Sequence, residues 1–156
     1  DARVSPGQRI ADVGAGSGVL SIAAALLGAA YVLAVELDPW AAEVARENAE
    51  LNGVSAQVEV RAGRVDPEGL PGEPPFDGLV SNIEAGVLAD LLPGLVASVE
   101  EGGWIVLSGI LLHEREAIIQ KALSLGLEPD GDDGEEEWWS GAFRVPGGAA
   151  IDMRPS

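Results

Sequence analysis

Residues 13–35 carry no charged side chain, and this run limits what the chain can fold into more than any other feature. About 20 consecutive apolar residues are enough to cross a bilayer as one helix. Here four glycines divide the run, three near its start and one near its middle: Gly14, Gly16, Gly18 and Gly28. Because glycines weaken a helix interior, the run is better explained as several short elements.

Division at the glycines predicts a strand ending at Val13, a helix over residues 17–27 and a strand over residues 31–36. A parallel strand buried on both faces is a nearly continuous apolar run, and an Ala-rich helix packed on it carries few charges. The run therefore predicts a buried strand–helix–strand unit of the kind that builds a parallel sheet.

Strands and helices continue to alternate along the chain. Asp38 followed by Pro39 predicts the N-cap and the first turn of a helix. The further predicted helices cover residues 40–51, 85–99 (interrupted near Pro93 and Gly94) and 113–125, and the further strands cover residues 58–61, 76–82, 104–108 and 138–145. Two loops are predicted, the proline-rich residues 67–75 and the acidic residues 128–137. The whole chain, residues 1–156, is thus predicted to form a single α/β domain with a mostly parallel, twisted sheet and helices on both faces.

The composition excludes several kinds of site. The chain of 156 residues has no Cys and one His, which excludes disulfides, thiolate metal sites and His-rich metal sites, so no metal is expected. Its 26 acidic and 9 basic residues give a formal net charge of −17 at pH 7. Such a charge repels nucleic acid and attracts a basic partner, although it is equally typical of an adaptation for solubility or high salt. Since no leader segment indicates secretion, a cytoplasmic protein without nucleic-acid or membrane partners is expected.

The segment after the first strand reads DVGAGSG and stands where ligands bind in open α/β sheets, beyond the carboxyl ends of the strands. A dinucleotide fingerprint, G-x-G-x-x-G, would place its third glycine at position 19, but the residue there is Val19. The loop also lacks the Lys of a phosphate-binding loop. The observed G-x-G-x-G after an acid is instead typical of Rossmann-like S-adenosylmethionine methyltransferases. It makes four residues candidates for cofactor binding: Asp12, Gly14, Gly16 and Gly18.

Two polar residues at later strand ends complete the candidate site. Glu36 ends the second strand, where a carboxylate can accept hydrogen bonds from both hydroxyls of a ribose. Asn82 ends the fourth strand, and its carboxamide can accept from an amine and donate to a carboxylate, which suits it to orient a nucleophile. We interpret both as cofactor-binding residues and Asn82 also as the catalytic residue. The alternatives are a surface carboxylate for Glu36 and a strand-end turn residue for Asn82.

These elements, in this order, make the chain resemble the ribosomal protein methyltransferases of the PrmA type. The resemblance covers residues 8–145. It is carried by residues 12–54, which begin with the glycine loop, and by the segments SNIEAGVLADLLPGL, GGWIVLSGIL and EEEWW. It implies a Rossmann-like class I methyltransferase fold, S-adenosyl-L-methionine as cofactor, and methylation of amino groups of a basic ribosomal protein. It places Gly14, Glu36 and Asn82 at cofactor positions, and Asn82 also beside the acceptor amine.

The chain also departs from that family. The family has a Phe-Gly-Thr-Gly-x-His-x-Thr-Thr segment before the first strand and a separate N-terminal substrate-recognition domain. The resemblance therefore implies that this chain, which opens at Asp1, is truncated at its N-terminus and lacks both. Glu36 stands where Asp is usual. Glu84 replaces an aliphatic residue, which either alters the choice of acceptor or is an exposed acid at a helix start. Other functions remain open: a class I methyltransferase with an arginine or small-molecule acceptor, a non-catalytic cofactor-binding fragment, and an NAD oxidoreductase.

Overall fold

The computed structural model describes residues 3–147. Strands and helices alternate along most of this part of the chain, as the sequence predicts. The strands are β1 (Arg9–Val13), β2 (Tyr31–Glu36), β3 (Val58–Ala62), β4 (Phe76–Asn82), β5 (Val99–Leu111), β6 (Glu128–Glu135) and β7 (Trp138–Arg144). The helices are α1 (Val19–Leu26), α2 (Pro39–Leu51), α3 (Ala85–Ala97) and α4 (Arg115–Ser124), with a 3-10 turn at Leu112–Glu114.

The strands of this part of the chain form one seven-stranded sheet in the order β3-β2-β1-β4-β5-β7-β6. The pairs from β3 to β5 are parallel, whereas β7 is antiparallel to both β5 and β6. Strand order reverses between β1 and β4, because the chain moves outward from β1 to β3 and then returns to the other side of β1. Such a switch point opens a crevice beyond the carboxyl ends of the two central strands.

Helices cover both faces of the sheet, which confirms the predicted fold class. On one face, Leu88, Leu92 and Leu95 of α3 pack in a buried cluster with Leu33 of β2 and Leu79 of β4. On the other face, the buried cluster combines side chains of α1, α2 and the central strands: Ile10, Ile22, Ala24, Val32 and Ala49. Among the described residues, no helix is long and apolar enough to span a bilayer.

The prediction that residues 128–137 form a solvated loop is wrong, because most of them belong to β6. This strand pairs with β7 in a hairpin whose turn includes Glu136, at φ 55°. All eight residues of β6 are exposed, so no hydrophobic alternation marks the strand in the sequence. Backbone pairing to β7 supplies the structure instead, and a dense negative charge on an edge strand opposes pairing with further chains.

The predicted interruption of the third helix near Pro93 and Gly94 is also wrong. Helix α3 runs through both residues and ends at Ala97, and Val99 already begins β5. Gly94 is explained by packing, since a Cβ at this position would lie 2.6 Å from the carbonyl carbon of Glu68. The glycine therefore lets the β3–β4 loop approach the helix backbone and does not break the helix.

Candidate functional site

A cavity of about 750 Å³ opens at the switch point, beyond the carboxyl ends of β1 and β2. Its floor is built by Val13, Gly14 and Val35 from the central strands and the loop after β1. The β3–β4 loop contributes one part of the wall, and the start of α3 with its first two turns contributes another. The cavity is large enough for a nucleoside-sized ligand, since small-molecule sites measure about 300–1,000 Å³.

The glycine loop after β1 fits tightly on one side and is open on the other. Gly14, at φ +80°, has the Asn82 carbonyl oxygen 3.3 Å from where a Cβ would stand, and the Ile83 side chain lies closer still. Gly16, at φ +57°, has no heavy atom within 4 Å of the corresponding point. A side chain at Gly14 would therefore separate the loop from the start of α3, and one at Gly16 would project into open space.

The Glu36 carboxylate joins the two loops that border the cavity. Its Oε1 accepts a hydrogen bond from the Gly16 N–H at 2.9 Å, and its Oε2 accepts one from the Asp38 N–H at 2.9 Å. These two backbone donors fix the orientation of the carboxylate, and each oxygen keeps capacity for a further donor. Asp38 itself caps α2 by accepting from the Trp40 N–H, as its sequence position predicts.

Asp12 lies beneath the glycine loop on the α1 side of the sheet and does not line the cavity. Its side chain is 1% exposed, and its Oδ2 accepts a hydrogen bond from the Ser21 hydroxyl at 2.6 Å. Oδ1 is buried with no partner among the described residues. Burial raises the pKa of this carboxyl from 3.8 to about 6, since the hydrogen bond from Ser21 offsets only part of the desolvation.

Asn82 and Gly18 border the site from outside the cavity lining. Asn82 is exposed at the end of β4, paired with Ser108, and its carboxamide makes no hydrogen bond within residues 3–147. Gly109 of β5 lies against the Asn82 Oδ1, where a larger residue would displace the side chain. Gly18 packs on α2, with Ala45 Cβ 3.2 Å from where its own Cβ would stand.

The structure thus brings Gly14, Gly16 and Glu36 together around the cavity and sets Asn82 at its rim. Most of the other lining residues fall into two groups, of which only Glu84 was considered from the sequence, as a residue that could alter the choice of acceptor. The first is the loop wall, formed by Gly63, Arg64, Val65 and Pro67; the second is the α3 wall, formed by Ile83, Glu84, Val87, Asp90 and Leu91. The second group has a signal in the sequence, because residues 84, 87 and 91 share one helix face by their spacing. The first has none beyond its position after a strand.

The loop wall is held by charged contacts at its far end. Glu73, whose side chain is 16% exposed, lies 2.6 Å from the Arg61 guanidinium of β3 and 3.4 Å from that of Arg9 of β1. The Arg9 guanidinium also stacks over the Tyr31 ring, 4.6 Å from its centroid. These contacts tie the helix-free β3–β4 connection to the strands and so fix the wall that it presents to the cavity.

The sheet order, the glycine loop after β1 and the acid at the end of β2 together define a class I methyltransferase fold. Solved structures agree. The ribosomal protein L11 methylase of Lactobacillus delbrueckii subsp. bulgaricus superposes with a TM-score of 0.84 at 33% identity, over 93% of this chain and 72% of that one. The precorrin-6y C5,15-methyltransferase of Geobacter metallireducens superposes with a TM-score of 0.77 at 20% identity, which shows the fold alone.

Sequence comparison identifies the particular family. The profile described as "Ribosomal protein L11 methyltransferase (PrmA)" matches residues 1–145, and the chain belongs to this family. A relative of that name from Citrifermentans bemidjiense is 48% identical over 137 residues, 88% of this chain and 43% of the relative. Another, from Sorangium cellulosum, is 40% identical over 163 residues, 92% of this chain and 50% of the relative. The chain therefore spans about half the length of these relatives.

Proposed function

We propose that this protein is an S-adenosyl-L-methionine-dependent methyltransferase that N-methylates lysine or other amino groups of ribosomal protein L11. The observation that carries the proposal is the hydrogen bond from the Gly16 N–H to Glu36, which lines the switch-point cavity, in a chain of this family. Relatives of the family carry that acceptor in their names.

The residues around the cavity suit S-adenosyl-L-methionine. The empty space at Gly16 lets a ligand approach the loop backbone, and the fixed Glu36 carboxylate can accept from ribose hydroxyls. We assign cofactor binding to Asp12, Gly14, Gly16, Gly18, Glu36 and Asn82. Of these, Gly14 and Glu36 line the cavity, whereas Asp12 and Gly18 act through the shape of the glycine loop. When bound, the cofactor supplies a methyl group on a sulfonium, which the amine nitrogen takes as the sulfur leaves with the bonding electron pair.

The acceptor amine would be oriented by Asn82 at the rim of the cavity. Its exposed carboxamide can accept from the amine, which must arrive neutral to use its lone pair as a nucleophile. His113, the one histidine of the chain, lies in the 3-10 turn at Leu112–Glu114 and does not line the cavity. The contribution of the protein is therefore alignment of the amine and exclusion of water.

A basic protein is the partner that the charge supports. The net charge of −17 attracts a Lys-rich surface and repels RNA phosphates, and the chain has 9 basic residues against 26 acidic ones. We propose a cytoplasmic protein that acts on a ribosomal protein and binds neither nucleic acid nor membrane.

Calorimetric titration with S-adenosylhomocysteine and with NAD tests the cofactor. We expect binding of the adenosyl ligand and none of NAD, and the reverse result would favour an oxidoreductase. Incubation with radiolabelled cofactor and separated ribosomal proteins and RNA tests the acceptor. Label should enter L11, whereas label in RNA or in an arginine would change the substrate class. Binding without any transfer would indicate a non-catalytic module.

The variant Asn82→Ala tests the catalytic assignment. We expect transfer to fall by about two orders of magnitude, because the amine loses its orienting partner, while the exposed site leaves stability nearly unchanged. Thermal unfolding and steady-state rates measured on the same preparation separate the two effects. Transfer at the wild-type rate would remove Asn82 from the mechanism and leave the function standing.

A further inference from the structure

Glu84 is an uncommitted carboxylate in the wall of the cavity. It lies two residues after Asn82, at the N-cap position of α3, with φ −62° and ψ 149°. Its side chain makes no capping hydrogen bond to the first turn, and it forms no hydrogen bond or ion pair within residues 3–147. Glu is not among the residues that usually cap a helix, and the carboxylate of Glu84 is therefore left available to a ligand.

The other charged groups that line the cavity are placed differently. Glu36 already accepts from two backbone N–H groups, one on each oxygen. Arg64 belongs to the β3–β4 loop, and Asp90 lies further along α3, by about 9 Å for a rise of 1.5 Å per residue. Glu84 is therefore the free anion nearest in the chain to Asn82, where the acceptor nitrogen is expected.

The apolar neighbours of Glu84 narrow the kind of cation that fits. Ile83, Val87 and Leu91 line the same wall, so an acceptor that reaches Glu84 passes along apolar side chains. A lysine matches this arrangement, because its methylene stem packs on apolar surface while its charged head remains at a polar end. A short amine lacks a stem to pack on this wall, whereas an arginine, with its own methylene stem, would reach it as well.

We propose that Glu84 contributes to acceptor binding by holding the protonated amine of an incoming lysine side chain before transfer. This inference rests on the proposed function, since it concerns the acceptor side of the same cavity. The bound ammonium releases its proton to bulk water, and the neutral amine then reacts at Asn82. The carboxylate thus strengthens acceptor binding and at the same time favours the charged form of the amine, which is the unreactive one.

The two effects of Glu84 have opposite consequences that can be measured. Loss of the carboxylate weakens acceptor binding, by about two- to fivefold for a solvent-exposed charge pair. It also lowers the pKa of the bound ammonium, so the rate at saturating acceptor rises at lower pH than in the wild type. A carboxylate that acted only on the start of the helix would leave both the affinity for the acceptor and the pH profile of the rate unchanged.

The experiment uses the full-length protein with S-adenosylhomocysteine bound and measures the Kd of L11 by titration. The variants are Glu84→Gln, which removes the charge at nearly constant shape, Glu84→Asp, which keeps it, and Glu47→Gln, a matched control on α2 away from the cavity. We expect Glu84→Gln alone to raise the Kd, with the difference from wild type disappearing in 0.5 M salt. The pH profile of kcat with radiolabelled cofactor should shift downward in Glu84→Gln alone.

The outcomes separate this proposal from the function on which it rests. If S-adenosylhomocysteine does not bind the wild type, the proposed function fails and the inference with it. If wild type methylates L11 but Glu84→Gln matches Glu47→Gln in Kd and pH profile, only the role of Glu84 is overturned. A change in affinity for S-adenosylhomocysteine with unchanged L11 binding would also overturn it, because Glu84 would then serve the cofactor.

Discussion

Gly16 and Gly53 share a left-handed backbone but differ in what surrounds them. Their φ angles are +57° and +70°, and neither has a heavy atom within 4 Å of where a Cβ would stand. The Gly16 N–H donates a hydrogen bond to Glu36, which lines the cavity. Gly53 follows the C-terminal end of α2, away from the cavity. The same substitution at both positions therefore separates backbone strain from occlusion of the site.

We expect Gly16→Val and Gly53→Val each to lower the free energy of unfolding by about 2 kcal/mol, the cost of a side chain in the left-handed region. Only Gly16→Val should lose binding of S-adenosylhomocysteine, because its side chain enters the open space beside the loop. Urea unfolding and calorimetric titration measure the two effects. Equal ligand affinity in the two variants would show that the space at Gly16 is not the ligand site.

The raised pKa of Asp12 predicts that the stability of the protein depends on pH. Burial raises the pKa of the Asp12 carboxyl from the ordinary value of 3.8 to about 6 in the folded protein, so the folded state binds the proton more tightly than the unfolded state does. The contribution of this group to stability is largest below pH 3.8 and is lost as pH rises through 6. Asp12→Asn removes the titration, so its stability relative to wild type should rise by about 1 kcal/mol between pH 5 and pH 7.5.

Chemical unfolding of Asp12→Asn and wild type at several pH values measures this difference. Asp133→Asn, an exposed acid of β6, provides the baseline for loss of one negative charge. A difference from wild type that stays constant across this range would show that Asp12 titrates normally and that its burial is relieved in solution.

At the scale of elements, the contact between α3 and the β3–β4 loop decides the shape of the cavity. Leu70 N–H donates to the Ser98 hydroxyl at 3.2 Å, and that hydroxyl donates to the Gly94 carbonyl at 2.9 Å. Gly69 and Gly94 approach each other with no room for a Cβ on either. The loop therefore lies directly on the helix backbone, and a single methyl group is enough to separate them.

We expect Gly94→Ala to destabilise the protein by about 2 kcal/mol through overpacking, despite the better helix propensity of Ala. It should also weaken binding of S-adenosylhomocysteine several-fold, because the displaced loop carries the wall around Val65. Gly86→Ala on the same helix, where a Cβ meets nothing within 4 Å, should instead stabilise by up to about 1 kcal/mol. Effects of the same sign in both variants would contradict the proposed contact.

At the scale of the whole molecule, the net charge of −17 dominates the approach of any charged partner. The edge strand β6 adds to this field, since all its residues are exposed and five of them are acidic. Long-range attraction of this kind raises association rates with a basic protein and is screened by salt over about 10 Å at 0.1 M.

Association of the protein with the proposed acceptor L11 should therefore slow by at least about tenfold between 50 mM and 500 mM salt. Stopped-flow mixing measures the rate. Binding of S-adenosylhomocysteine, which carries no net charge, serves as the internal control and should change little. A rate of L11 association that is independent of salt would show that the charge serves solubility alone.

The local features of the site were predictable because each is written in a few adjacent residues. The glycine spacing after β1, Asp38 as the cap of α2 and the polar ends of β2 and β4 all rest on turn and cap chemistry. The acidic strand β6 and the unbroken helix at Pro93 could not be predicted in this way, because both depend on partners distant in the chain.

The alternation of strands and helices and the position of the glycine loop could be predicted from the sequence, since hydrophobic periodicity and glycine placement act over a few residues. Which side chains face the same space depends on the tertiary structure. It placed Gly16 against Glu36, the β3–β4 loop against Gly94, and Glu84 in the wall of a cavity whose floor comes from β1 and β2. These contacts form only when the chain closes around the sheet, because no local pattern specifies the distance between residues that lie tens of positions apart.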